Sequence, residues 1–173
     1  MARVSRGRLV VITCSLVLHD VTAFCASARP PAEELVNRLN PTNLAYLGDA
    51  VFELEARERL LWPPAKVDAL SSQVQALVCA EGQHAVLQRI NADFGLTEDE
   101  ADWLRRGRNA SGRGPRRLDP KVYRAASALE TLVGYLYTCD PERLRSLFAF
   151  IFDESDVVAS LLRSSDEPPP QPA

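Results

Sequence analysis

Asp49 and Glu130 are the residues of this 173-residue chain whose type and surroundings best suit catalysis. Asp49 lies in the middle of Leu44-Ala45-Tyr46-Leu47-Gly48-Asp49-Ala50-Val51-Phe52-Glu53, beside a glycine that a helix would rather not have. Glycine in a helix interior costs about 1 kcal/mol relative to alanine, so its presence points to close approach by another backbone or by a ligand. Glu130 lies in Ala125-Ala126-Ser127-Ala128-Leu129-Glu130-Thr131-Leu132-Val133-Gly134-Tyr135-Leu136-Tyr137, again a lone acid in a mostly apolar helix, four residues before a glycine. Two such helices carry what a metal site at a helix–helix crossing requires. Hard divalent cations such as Mg2+ bind through one or two carboxylates, with waters and substrate phosphate completing the shell. On this pattern alone the alternative is a pair of solvated helical acids. Glu53, one turn after Asp49, shares its face and either assists through a water or forms a surface salt bridge.

Other constellations are missing. The sequence holds no GxxxxGKS/T loop, GxGxxG, HExxH or GxSxG. Beyond a leader-like segment that includes His19, His84 is the sole histidine, which leaves little for a nucleophile–base pair or a zinc site. Cys79 and Cys139 fall inside helical patterns and read as buried apolar thiols, while Cys14 and Cys25 fall in the leader-like segment.

The elements that must position the two acids are helices. Ala32 to Leu39 forms a short amphipathic one, stopped by Asn40-Pro41. Thr42 is expected to cap the next, which runs to about Leu61 with Leu44, Leu47, Val51 and Leu54 as its buried stripe. A third helical region spans about Val67 to Ile90, with a break expected near Gly82; Leu70, Val74, Leu77 and Val78 line one face. Thr97-Glu98-Asp99-Glu100 is a capping box that starts a helix through Trp103 and Leu104. Asp119-Pro120 and Asp140-Pro141 each place an acid at a cap and proline at the first helical position. The helices they begin run to about Tyr137, with Leu129, Leu132, Val133 and Leu136 facing inward, and to about Phe152. A last helix covers about Glu154 to Arg163. No strand pattern follows the leader, so the expected fold class is all-α.

Composition, 46% hydrophobic and 25% charged, is that of a globular chain rather than a disordered or membrane-spanning one. Net charge is -3, yet Leu104 to Arg124 carries eight basic residues against the single acid Asp119, so the remainder carries -10. That asymmetry points to an anionic partner where the average does not. Arg3, Arg6 and Arg8 precede an apolar run from Leu9 to Leu18, too short to span a bilayer, and small residues follow at Val21-Thr22-Ala23 and Ala26-Ser27-Ala28. Residues 1–28 therefore read as a signal- or transit-type leader, 29–163 as one domain, and the proline-rich 164–173 as a disordered tail. Phe24, after the first candidate cleavage point, resembles the bipartite leaders of algae with complex plastids, and the resemblance implies a plastid or another organelle as destination, with no membrane attachment in the mature form.

Three ordered segments carry a family resemblance over about 95 residues. Leu44 to Val51, LAYLGDAV, resembles the signature of ribonuclease III domains, with Ala45-Tyr46 in the form of the Mini-III branch. Leu104 to Ala110 is similar to that branch's RRGRNA loop, and Tyr123-Arg124 followed by Leu129-Glu130 and Val133 to Tyr137 resembles its second acidic helix. Gln83 and Ala85 also fall where the family has a similar helix.

The resemblance implies a helical-bundle endonuclease domain and a phosphodiester hydrolase of double-stranded or structured RNA. Asp49 matches the family's catalytic aspartate and Glu130 its metal-binding glutamate, with Mg2+, or Mn2+ in its place, as cofactor. Larger ribonuclease III enzymes have two further acids where Ala45 and Ser127 stand, and the Mini-III branch lacks carboxylates there too. The family also implies 5'-phosphate and 3'-hydroxyl ends, a symmetric homodimer, and precursor large-subunit ribosomal RNA as substrate. RNA gripping falls to Arg105, Arg106, Arg108 and Arg113, which can meet phosphates across a minor groove, with Asn109 placed to hydrogen-bond a 2'-hydroxyl. The loop from Ala110 to Asp119 is shorter than is usual in the branch, and no double-stranded-RNA-binding domain is expected downstream. The competing expectation is a catalytically inactive ribonuclease III fold that coats RNA or associates with the ribosome.

Overall fold

A computed structural model describes residues 31–153 and 156–165. The leader-like segment 1–28, with Cys14, His19, Phe24 and Cys25, lies outside the described residues, as do 29–30, 154–155 and residues 166–173 of the expected tail. Among the described residues there are eight helices and no strand, the all-α class expected: α1 (Ala32–Arg38), α2 (Pro41–Leu60), α3 (Val67–Val78), α4 (Ala80–Asp93), α5 (Glu98–Ala110), α6 (Pro120–Cys139), α7 (Pro141–Asp153) and α8 (Asp156–Ser165). No helix among these residues is long and apolar enough to cross a membrane.

Helix α6 is the centre of the bundle, touched by α1, α2, α4, α5 and α7. Its Leu129, Leu132, Val133 and Leu136 are buried, as the periodicity predicts, and pack with Phe52, Leu77, Leu87, Ile90, Leu147 and Ile151 in one apolar core. A second, smaller cluster joins Val36, Leu44 and Trp103.

Local signals hold where local chemistry decides. Thr97 Oγ1 accepts from Glu100 N at 3.2 Å while Glu100 Oε2 accepts from Thr97 N at 2.8 Å, completing the expected box. Asp119 Oδ1 accepts from Lys121 N at 2.7 Å at the start of α6. Glu100 also holds a distant partner. Arg143 Nε donates to its Oε1 at 2.7 Å and Arg143 Nη2 to Gly95 O at 3.0 Å, tying the start of α5 to that of α7. Burial alone would raise the Glu100 pKa, but the Arg143 and Thr97 hydrogen bonds together hold it below the usual glutamate value.

Several expectations need correction. The cap of α2 is Asn40, not Thr42: Asn40 Oδ1 accepts from Asn43 N at 2.8 Å, because Pro41 has no N–H and its fixed φ suits the first helical position. The break expected near Gly82 falls three residues before it, at Cys79. Cys79 is extended (φ -66, ψ 159), and its Sγ caps α4 by accepting from Gly82 N at 3.4 Å. Cys79 and Cys139 are not in a disulfide and are only partly buried, not the fully buried thiols expected. The stripe of α2 is rotated from the one expected, with Leu44, Ala45, Gly48, Phe52 and Ala56 buried while Leu54 is 65% exposed. The period is legible in the sequence, but the face is chosen by Gly48, which must turn toward α6. Helix α8 is described over Asp156–Ser165, and the expected start at Glu154 lies outside the described residues.

Candidate active site

The crossing of α2 and α6 is built on two glycines. A Cβ on Gly48 would overlap the Glu130 carbonyl and lie 2.7 Å from Gly134 N; one on Gly134 would overlap the Leu44 carbonyl and lie 3.2 Å from Gly48 N. No side chain fits at either position, since the atoms in the way are backbone. This is the close approach that glycine beside each acid suggested, and the visitor in both cases is the other helix. Asp49 follows Gly48 directly, and Glu130 lies one turn before Gly134, so the crossing brings the two acids to one place.

Their electrostatics record that proximity. The Glu130 carboxyl is raised from its usual 4.5 to about 7, first by burial and then by the charge of Asp49, with the Gln83 side chain acting in the opposite sense. Asp49 is raised as well, by burial and then by Glu53. Two carboxylates whose ionised forms are both disfavoured, Glu130 by burial and by Asp49 and Asp49 by burial and by Glu53, suit a divalent cation: hard oxygen donors are the right type, and the positive charge relieves both. Among the described residues no group of three or more His, Cys, Asp and Glu side chains is gathered. An ion held here would rest on these two carboxylates, with waters and substrate phosphate supplying the rest.

Glu130 lines a cleft of about 190 Å³, with Ala45 and Tyr46 of α2, Ser127 and Thr131 of α6, and Ser111 and Gly112 beyond the end of α5. Ala45 and Ser127 thus stand beside Glu130, where they leave room that acidic side chains would fill. Glu53 is drawn away into an ion pair with Arg57 on its own helix, the salt-bridge alternative of the two weighed for it.

The basic residues divide. Arg105 is exposed and pairs with Asp102. Arg106 is half-buried, its guanidinium 3.6 Å from the centre of the Trp103 ring, which in turn stacks on Tyr135 at 5.2 Å. Arg108 and Asn109 are exposed in the last turn of α5. Arg113 lines a second cavity, of about 580 Å³, together with Arg116, Arg124 and Tyr123. That cavity and the Glu130 cleft share Ser111, Gly112 and Tyr123, so a cationic surface leads directly to Glu130. Arg116 belongs to the basic run without a motif to single it out, and Arg124 falls in the Tyr123-Arg124 segment of the family-like helix; what places both on this cavity is the fold of the loop over Tyr123, which spacing alone does not reveal. Gln83, placed on a family-like helix by the sequence, is buried and faces the site, a role without a sequence signal.

The ribonuclease III domain family model matches residues 42–141. The chain is 46% identical over 132 residues to a Mini-ribonuclease 3 of Synechocystis, covering 76% of this chain and 91% of that protein. It is 49% identical over 109 residues to a Mini-ribonuclease 3 of Gloeobacter violaceus, covering 63% and 79%. A crystal structure of a Fusobacterium nucleatum protein superposes with a TM-score of 0.61 at 29% identity, over 68% of this chain and 95% of that one.

Proposed function

The chain belongs to the ribonuclease III domain family, in its Mini-ribonuclease 3 branch, and is an endoribonuclease of structured RNA; we propose that Asp49 and Glu130 are its catalytic residues and hold Mg2+ between them. The observation that carries this is the Gly48–Gly134 crossing, which sets the two acids close enough for the charge of one to shift the pKa of the other.

When bound, Mg2+ would supply a water activated for attack and positive charge at the scissile phosphate. The carboxylates of Asp49 and Glu130 must be ionised to hold it. Water adds to phosphorus as the P–O3' bond breaks; the phosphate stays on the 5' end and the departing 3' oxygen takes up a proton. Arg113, Arg116 and Arg124 meet the phosphates next to the cleft, with Arg108 and Asn109 at its α5 edge. Arg106, held over Trp103, and Arg105, paired with Asp102, grip less.

A homodimer fits the outer surface of α2. Tyr46 is 86% exposed and Leu54, Leu61, Trp62 and Val67 are all exposed, with a groove of about 350 Å³ running from Leu61 and Val67 to Val78. An apolar surface of this kind calls for a partner, and a second copy would set two sites for the two strands of a duplex. The substrate proposed is precursor large-subunit ribosomal RNA. The destination proposed is a plastid: the leader-like residues 1–28 would direct it, and relatives in Synechocystis and Gloeobacter fit an organelle of cyanobacterial descent.

The test is cleavage of duplex RNA by the full chain with Mg2+ and with EDTA; Mg2+-dependent scission leaving 5'-phosphate ends is expected, and binding without scission would leave the RNA-coating alternative. Duplex affinity is expected to fall steeply with salt. Arg113→Ala with Arg116→Ala should flatten the log–log slope by about 2, about 1 for each phosphate no longer neutralised. Arg105→Ala with Arg106→Ala should change it less. The reverse ranking, read by filter binding across a salt series, would move the grip back to α5.

A further inference from the structure

We propose that Gln83 is a positioning residue for Glu130: its buried amide holds the Glu130 carboxylate in the orientation from which it takes up the divalent ion. This rests on Glu130 being a metal ligand.

Gln83 lies in the first turn of α4, its backbone N–H donating to Cys79 O at 2.9 Å. The turn is clamped by its neighbour Gly82, which packs so closely on the end of α3 that an added Cβ would overlap the Ala76 carbonyl and lie 2.8 Å from that of Leu77. That clamp fixes the rotation of α4 and turns residue 83 into the bundle, where it is 1% exposed among neighbours such as Val86 and Leu87. An amide at such a position is costly: an unsatisfied buried polar group costs about 1–3 kcal/mol. Gln83 Nε2 is buried without a hydrogen-bond partner, so local packing does not account for it.

What the side chain faces is the Glu130 carboxyl on α6, whose ionised form it favours. Its approach is close enough to act electrostatically yet falls short of an aligned hydrogen bond. A carboxylate that gives one oxygen to a cation keeps another to be held from behind, and groups in that outer position orient the ligand and strengthen binding. The Nε2 donor is the group on this side of Glu130 able to serve in that way, and coordination would complete the bond that the protein alone leaves open.

The variant is Gln83→Met, apolar, unbranched and of similar length. Mn2+ binding to the full chain without RNA is followed by the electron paramagnetic resonance of the free ion. The Kd is expected to rise about 10- to 100-fold in the variant. The urea midpoint in EDTA should stay level or rise, which a merely structural role would not give, and cleavage should recover at high Mg2+. In wild-type protein labelled with 15N-glutamine, the Gln83 side-chain amide should shift on addition of Mg2+, a readout that stands even if the variant does not fold. A Kd within twofold of wild type, or an amide that does not move while Mg2+ binds, overturns the role of Gln83 alone. Wild-type protein that binds no ion removes Glu130 as a ligand, and Gln83 with it.

Discussion

Asp49→Asn is expected to lower duplex-RNA cleavage by at least about 10³-fold while leaving duplex affinity within two- or threefold of wild type. Asparagine keeps the size of the side chain but gives up the negative charge that half of the ion's protein donors supply. Stabilisation of charge at a transferring phosphate by a metal ion is worth several kcal/mol, and about 4 kcal/mol corresponds to 10³ in rate. Affinity should hold because the cationic surface is made by Arg113, Arg116 and Arg124, which line a cavity that Asp49 does not. Single-turnover cleavage and filter binding of the same preparation separate the two. Retention of more than a tenth of wild-type cleavage would remove Asp49 from the chemistry, and a parallel loss of binding would make it a structural residue.

Glu130→Gln is expected to abolish cleavage and, without metal, to stabilise the fold. The direction follows from the raised pKa. Glu130 ionises near its usual 4.5 in the unfolded chain and near 7 in the folded one, so between these values the native state holds more protons. Stability of the metal-free wild type therefore falls as pH rises from about 4.5 through 7, and the penalty is complete above that. At about 1.4 kcal/mol per pH unit, the cost reaches about 3 kcal/mol by pH 8. Glutamine carries no charge and escapes it. Urea unfolding in EDTA should show the variant more stable than wild type at pH 8 and nearly equal to it at pH 4.5, with Mg2+ closing the gap by stabilising wild type alone. Equal stability at both pH values would mean that the carboxyl is not under strain in the fold.

Both effects spring from one feature, a crossing of two helices at paired glycines, and its legibility in the sequence was uneven. The acids and the glycines beside them could be read because an unfavourable helix residue at a regular position demands a reason. Capping at Thr97 and Asp119 could be read because caps involve side chain and backbone within three residues. The rotation of α2 could not: Leu54 and Phe52 are both apolar, and only tertiary packing, with Phe52 against Phe148 and Phe152, puts Phe52 inside and Leu54 out. Distance in sequence hides partnerships in the same way. Glu100 serves its own cap and also Arg143, 43 residues away. The inward turn of Gln83 depends on the packing of Gly82 against α3, and nothing within α4 announces it.

The most direct measurement is anomalous diffraction from crystals of the full chain soaked in Mn2+. A peak is expected between Asp49 and Glu130, at a coordination distance of about 2.1 Å from a carboxylate oxygen of each, and absent from Asp49→Asn crystals. A peak bound elsewhere in a protein that still cleaves RNA, or an active crystal form with none at this crossing, would contradict the shared-ion site.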